Sequence, residues 1–143
     1  MELGLTGRTA LVTGASKGIG RAVAEGLAAE GCNLHLVART QADLELVRDK
    51  IQARSNVKVT IHPRDLSNGE TCRALAHECG DTNILINNAG AIPSGDLLSI
   101  DEARWRTSWD LKVFGFINLS RALYLRMKER GTGVIVNTIG GCW

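Results

Sequence analysis

At 143 residues, 44% of them apolar and 22% charged, the chain is long enough to bury a core and has the balance of a globular domain. That excludes a disordered tail, a coiled coil and a collagen-like fibre. Lys plus Arg number 17 against 15 Asp plus Glu, a net charge of +2, which gives no electrostatic footprint for nucleic acid or an acidic membrane. Sixteen Gly and two Pro point to tight turns and close backbone approaches.

Thr9-Ala10-Leu11-Val12-Thr13 is a short apolar run without helical period and predicts a buried strand. The turn Gly14-Ala15-Ser16-Lys17-Gly18-Ile19-Gly20 follows. A helix comes next, with Ile19, Val23 and Leu27 as its expected apolar face and Gly31 placed to end it. Asn33–Ala38 reads as a second strand. Thr40-x-x-Asp43 resembles a capping box, opening a helix that carries Leu44, Val47 and Ile51. Val57–Ile61 alternates as a third strand. Ser67-x-x-Glu70 is a capping box for the helix that holds Cys72 and Cys79, both expected on its apolar stripe with Leu75 and Ala76.

Asn83–Asn87 is the fourth strand, followed by Asn88-Ala89-Gly90. Ser99-x-x-Glu102 begins a long helical stretch, broken once, running to about Arg130 and stopped by Gly131-Thr132-Gly133. Val134–Thr138 is the fifth strand. Strands that alternate with helices imply an α/β fold, a parallel sheet covered on both faces, in one domain. Ligands of such sheets bind beyond the carboxyl ends of the strands. The glycine turn, Arg39, Asp65, the Asn88 turn and Gly140 all fall at those ends.

The glycine turn has a physical purpose between a strand and a helix. Gly14 would allow the turn, Gly18 the approach of a pyrophosphate, and Gly20 the seating of the helix on the sheet. The helix N-terminus then offers free N–H groups and the positive end of its dipole to phosphates.

Thr13-Gly14-Ala15-Ser16-Lys17-Gly18-Ile19-Gly20, Asp65-Leu66, Asn87-Asn88-Ala89-Gly90, Val113–Arg121 and Gly133–Asn137 together resemble the short-chain dehydrogenase/reductase family, over essentially the whole chain. The resemblance implies a three-layer, Rossmann-type doubly wound sheet of about five strands, a partial dinucleotide-binding domain over residues 1–143. It implies a nicotinamide dinucleotide held by Gly14, Ser16, Lys17, Gly18, Ile19, Gly20, Arg39, Asp65, Leu66, Asn88, Ala89 and Gly90. Asp65 would meet the adenine, and Asn88 to Gly90 would run past the riboses. The end of the second strand holds Ala38 and Arg39 in place of the acid usual for NAD. With Lys17 in the turn, this suits a 2′-phosphate, so NADP is expected and NAD is the second choice.

The catalytic pattern breaks. The family uses a Tyr as acid/base, a Lys four residues later, a Ser that polarises the substrate oxygen and an Asn that supports a water. Here Gly140 stands at the Ser position and Lys112 at the Asn position. The Tyr and Lys positions lie beyond the fifth strand. Tyr124 and Lys128 have the right spacing, but in the helix before that strand, and a packing or solvated role is expected for them. Lys112 is the remaining catalytic candidate, as a lysine near the nicotinamide site, against a plain surface role. His35, His62 and His77 are expected to form no metal-like cluster. Trp105 and Trp109 read as core or interface residues.

Three readings follow for the function. The first is a carbonyl/alcohol oxidoreductase chain that is truncated relative to the family and inactive alone. The second is a non-catalytic NADP-binding regulatory module. The third is an active enzyme using Lys112 or the Tyr124/Lys128 pair. A small carbonyl or alcohol substrate is expected only if the remaining half is supplied. Homo-oligomerisation is expected through the helix over 101–130 or the open sheet edge. Cys32, Cys72, Cys79 and Cys142 form no C-x-x-C pair. Met1-Glu2-Leu3 does not open a secretory leader, and no run reaches the about 18 apolar residues of a membrane span. The expected setting is therefore cytoplasmic, with neither nucleic acid nor membrane as partner.

Overall fold

The computed structural model describes residues 2–90 and 92–140. Five parallel strands form one sheet in the order β3-β2-β1-β4-β5: β1 Thr9–Thr13, β2 Asn33–Ala38, β3 Val59–Pro63, β4 Ile84–Asn87 and β5 Val134–Asn137. The helices are α1 Gly18–Ala29, α2 Gln41–Gln52, α3 Gly69–Glu78, α4 Glu102–Trp109 and α5 Phe116–Arg130, with a π-helical segment Asp110–Gly115 joining the last two. The break expected in the long helix is this π segment. Among the described residues no helix is long and apolar enough to cross a membrane.

The strand side chains alternate between two cores. Ala10, Val12, Leu34, Leu36, Ile84 and Ile86 pack on one face with α1 and α2. Leu11, Val37 and Leu85 pack on the other with Cys72 and Leu75 of α3 and Leu119, Leu123 and Met127 of α5. The order reverses at β1 and β4, which places a crevice at their carboxyl ends. Among the described residues β5 is an edge strand paired with β4 alone. Val134 and Val136, in register with Ile84 and Ile86, are exposed at 53% and 45%.

Several local expectations need correction. The fully buried residues of α1 are Gly20, Ala24 and Ala28; of the expected face, Val23 and Leu27 pack partly buried against the same core and Ile19 does not. Small residues let this helix lie against the strands, and Ile19 is left 62% exposed. Thr40 precedes α2, but its side chain makes no capping bond. Asn68, not Ser67, caps α3 by accepting from Glu70 and Thr71 N–H at 2.8 and 3.2 Å. Asp101, not Ser99, caps α4 by accepting from Arg104 N–H. In each case an Asn or Asp oxygen placed one or two residues later reaches the free N–H groups. β3 begins two residues later than expected: the Lys58 carbonyl accepts from Leu34 N–H, but its N–H donates to the Asn33 side chain at 3.0 Å instead of to a strand carbonyl. Trp105 and Trp109 are exposed at 36% and 55%, and α4 buries no residue, so the two rings are not core.

The largest correction concerns the histidines. β2 and β3 pair in register with His35 opposite Thr60 and Val37 opposite His62. His35 and His62 are therefore diagonal neighbours on one sheet face. The C-terminal end of α3 brings Cys79 against them, so that His35, His62 and Cys79 form a cluster with the ligating types and spacing of a metal site. Pairing across the sheet makes this group, and the sequence separation of the three residues conceals it.

Candidate functional site

The carboxyl ends of the strands enclose a cleft of about 400 Å³. Gly14, Ser16, Lys17 and Ile19 form one wall, Arg39 and Asp65 another, and Leu66, Asn88, Ala89 and Gly90 complete it. Ten of the twelve residues expected to hold a dinucleotide thus meet in one place. Gly18 and Gly20 are outside that lining but belong to the same turn.

Gly14 has φ +64° and Gly18 φ +55°, the left-handed region that glycine enters without strain. Gly20 is required for another reason. A Cβ there would stand 2.2 Å from the Gly14 carbonyl oxygen and 2.6 Å from Asn88 Nδ2. Helix α1 starts at Lys17 with no side-chain cap and no acid in its first turn. Its first N–H groups and dipole end are left for an anion.

Thr13, which the sequence reading did not select, organises the opposite wall. Its Oγ1 accepts from the N–H groups of Asn88 and Ala89, both at 2.9 Å, and donates to Ile86 O. Asn88 Nδ2 in turn donates to the carbonyls of Thr13 and Gly14 at 3.2 and 3.4 Å. The two turns of the cleft are therefore tied to each other. The available signal was a Thr at the end of a buried strand, where its hydroxyl must find partners.

Among the described residues neither Lys17 nor Arg39 has an ion-pair partner within 4 Å. Both are exposed. Arg64 also lines the cleft, but it is held by Glu78 and by Pro63 O. Asp43 is a second acid in the lining that the sequence reading did not place there. Asp65 Oδ1 accepts from Ser67 N–H at 3.0 Å. That bond, with the charge of Arg39, holds the carboxyl below its ordinary value.

The short chain dehydrogenase family model matches residues 8–141. The chain belongs to this family.

Among short-chain dehydrogenase relatives, the chain is 35% identical to L-xylulose reductase of Mesocricetus auratus over 96% of its own length and 54% of the relative's. It is 31% identical to 2,3-dihydro-2,3-dihydroxybenzoate dehydrogenase of Bacillus subtilis, over 96% of this chain and 53% of that one. L-Sorbose reductase of Gluconobacter frateurii, solved in complex with NADPH and L-sorbose, superposes with a TM-score of 0.87 at 32% identity, over 96% of this chain and 54% of that one. A metagenomic short-chain oxidoreductase in complex with NADP superposes at 0.88 and 31% identity, over 96% and 64%. The chain spans about half the length of the curated relatives it matches.

At the positions expected from the resemblance to be catalytic, Gly140 has no hydroxyl, and a Cβ built there would meet nothing within 4 Å. Lys112 lies in the π segment, with its Nζ donating to Thr138 O at 2.8 Å and standing 4.8 Å from the Phe116 ring centroid. Its partial burial lowers its pKa from the ordinary lysine value. Tyr124 is exposed and lines a depression with Arg73, His77 and Arg126, away from the cleft residues. Cys142 lies outside the described residues.

Proposed function

We propose that this chain is the NADP-binding half of an oxidoreductase that moves hydride between NADPH and a carbonyl or alcohol substrate. The observation that carries the reading is the cleft, where two exposed cations without ion-pair partners, Lys17 and Arg39, flank the uncapped start of α1. The residues fit the dinucleotide. The α1 N–H groups and the glycine turn would take the pyrophosphate. Arg39 and Lys17 would take the 2′-phosphate, Arg39 by a planar fork and Lys17 as a point charge. Asp65 and Leu66 would meet the adenine, and Asn88 to Gly90 would pass the riboses. When bound, the nicotinamide supplies or accepts the hydride. The NADPH and NADP complexes of the structural neighbours support the same choice.

In this reading the 143 residues do not turn over by themselves. The position for a hydroxyl donor is Gly140, and the Tyr124/Lys128 pair lies outside the cleft. Lys112 uses its ammonium to hold the Thr138 carbonyl, so we assign it a positioning role rather than proton transfer. Assembly with a second copy belongs to the proposal, through the exposed Trp105, Trp109 and Phe114.

Calorimetric titration with NADPH and then NADH tests this. NADPH is expected to bind at least tenfold tighter. Arg39→Ala should weaken NADPH roughly ten- to hundredfold, in line with the ~1.5–3 kcal/mol of a hydrogen bond to a charged group, and leave NADH unchanged. Equal affinities that ignore Arg39→Ala, or no binding of either, would overturn the reading.

A further inference from the structure

Outside the cleft, at the β3 edge of the sheet, His35, His62 and Cys79 turn three ligating atoms towards one point. His35 Nδ1 and His62 Nε2 are 2.9 Å apart, and Cys79 Sγ is 3.4 Å from His62 Nε2. All three atoms lie within 4.8 Å of one another. Cys79 and His62 are buried and His35 nearly so. The geometry points to a binding site for a late first-row divalent metal, with Zn2+ the fitting ion, that no part of the dinucleotide chemistry requires.

Three features support it. The first is distance. A tetrahedral zinc with ordinary bond lengths places two imidazole nitrogens about 3.3 Å apart and a nitrogen and a sulfur about 3.6 Å apart. The two separations that involve His62 Nε2 are short of these by a few tenths of an ångström, and with all three atoms within 4.8 Å of one another, rotations of the His35 ring and the Cys79 side chain bring them onto one ion.

The second is what lies behind each ring. His35 Nε2 is 2.8 Å from Asp81 Oδ1, and His62 Nδ1 is 3.5 Å from Glu78 Oε2. Both histidines therefore have a carboxylate on the nitrogen that faces away from the cluster, the arrangement that orients metal-bound imidazoles. A neutral imidazole has one N–H. If both rings donate outward to these carboxylates, the two inner nitrogens face each other as bare acceptors at 2.9 Å, a contact that a shared cation resolves.

The third is the donor set and its charge. Two imidazoles and a thiolate suit zinc and exclude calcium and magnesium, which take oxygen ligands. Zinc binding replaces the thiol proton, S–H plus Zn2+ giving S–Zn and a proton released to solvent. The dication is then balanced by the thiolate and by Asp81 and Glu78, while Arg64 at 3.3 Å from Glu78 offsets the remaining negative charge. The Asp81 side chain is 63% exposed, so an ion can enter past His35. Three protein ligands leave the fourth position to water.

The test is a titration of the chelator-treated chain, in a Cys142→Ser background, with Co2+ and then Zn2+. One equivalent of Co2+ should develop a thiolate-to-cobalt charge-transfer band that Zn2+ removes, and Zn2+ should raise the melting temperature. Cys79→Ser should abolish the band and Cys72→Ser should leave it, with circular dichroism confirming the fold of each. Asp81→Asn, at the exposed rim, should keep the band but weaken affinity about tenfold. A folded chain that gives no cobalt–thiolate band overturns the proposal, as does a band that survives Cys79→Ser. The cluster would then be a buried hydrogen-bonded contact only. NADPH binding measured on the same samples separates this outcome from failure of the cleft.

Discussion

Thr13 and Gly20 carry the shape of the cleft without facing its solvent. The Thr13 hydroxyl is the acceptor for two main-chain N–H groups, at Asn88 and Ala89. Thr13→Val keeps the volume and strands both donors, which should cost about 2 kcal/mol in urea denaturation. Thr13→Ser should cost about 1 kcal/mol, the value of one buried methyl, and keep NADPH affinity. Gly20→Ala adds a methyl 2.2 Å from a carbonyl oxygen. The helical gain of Ala over Gly is ~1 kcal/mol, and a backbone clash outweighs it. A melting temperature lowered by several degrees and at least a tenfold loss of NADPH binding are expected. Burial pushes the Cys79 thiol up to about 12 in the metal-free chain, so an ion that binds there must displace its proton.

At the scale of elements, strand and helix identities follow from apolar period, while helix starts follow from which oxygen reaches the free N–H groups. The Ser67-x-x-Glu70 pattern looks like a capping box, yet Asn68 does the capping and Ser67 N–H closes a turn onto Asp65. Asn68→Ala should lower stability by about 1 kcal/mol. Ser67→Ala should change it by less than about 0.5 kcal/mol. Chemical denaturation of the two variants separates the two assignments. The π segment has a similar lesson. Gly115 stands where a Cβ would be 2.8 Å from Leu66 O, so the widened turn and the loop that carries Asp65 and Leu66 share one tight contact. Nothing in the spacing of Val113 and Phe116 announces it.

At the scale of the molecule, the two faces of the sheet are covered unequally. α1 and α2 cover the β1, β2 and β3 side of one face, which leaves Val134 and Val136 of β5 open. α4 buries none of its residues, and Trp105, Trp109 and Phe114 line an apolar depression with Glu102 and Arg106. In the reading proposed above this face meets a second copy. Sedimentation of the chain should show a concentration-dependent dimer, and the double variant Trp105→Asp, Trp109→Asp should sediment as a monomer with its NADPH affinity intact. Because these side chains are exposed in the folded chain, their replacement should leave the melting temperature of the monomer nearly unchanged.

The alternation of strands and helices, the glycine turn and the cluster of polar residues at the strand ends were determined by the sequence itself. Each depends on residues close together in the chain: a run of apolar side chains, a glycine at a forced φ, an acid or cation just after a strand. The tertiary structure alone decided what depends on register and approach. Thr13 meets Asn88 across 75 positions, and Lys112, in the π segment, reaches Thr138 across 26. His35, His62 and Cys79 converge because β2 and β3 pair in parallel and α3 ends above them. These contacts bridge segments whose spacing in the chain has no period, and only packing brings them within bonding distance.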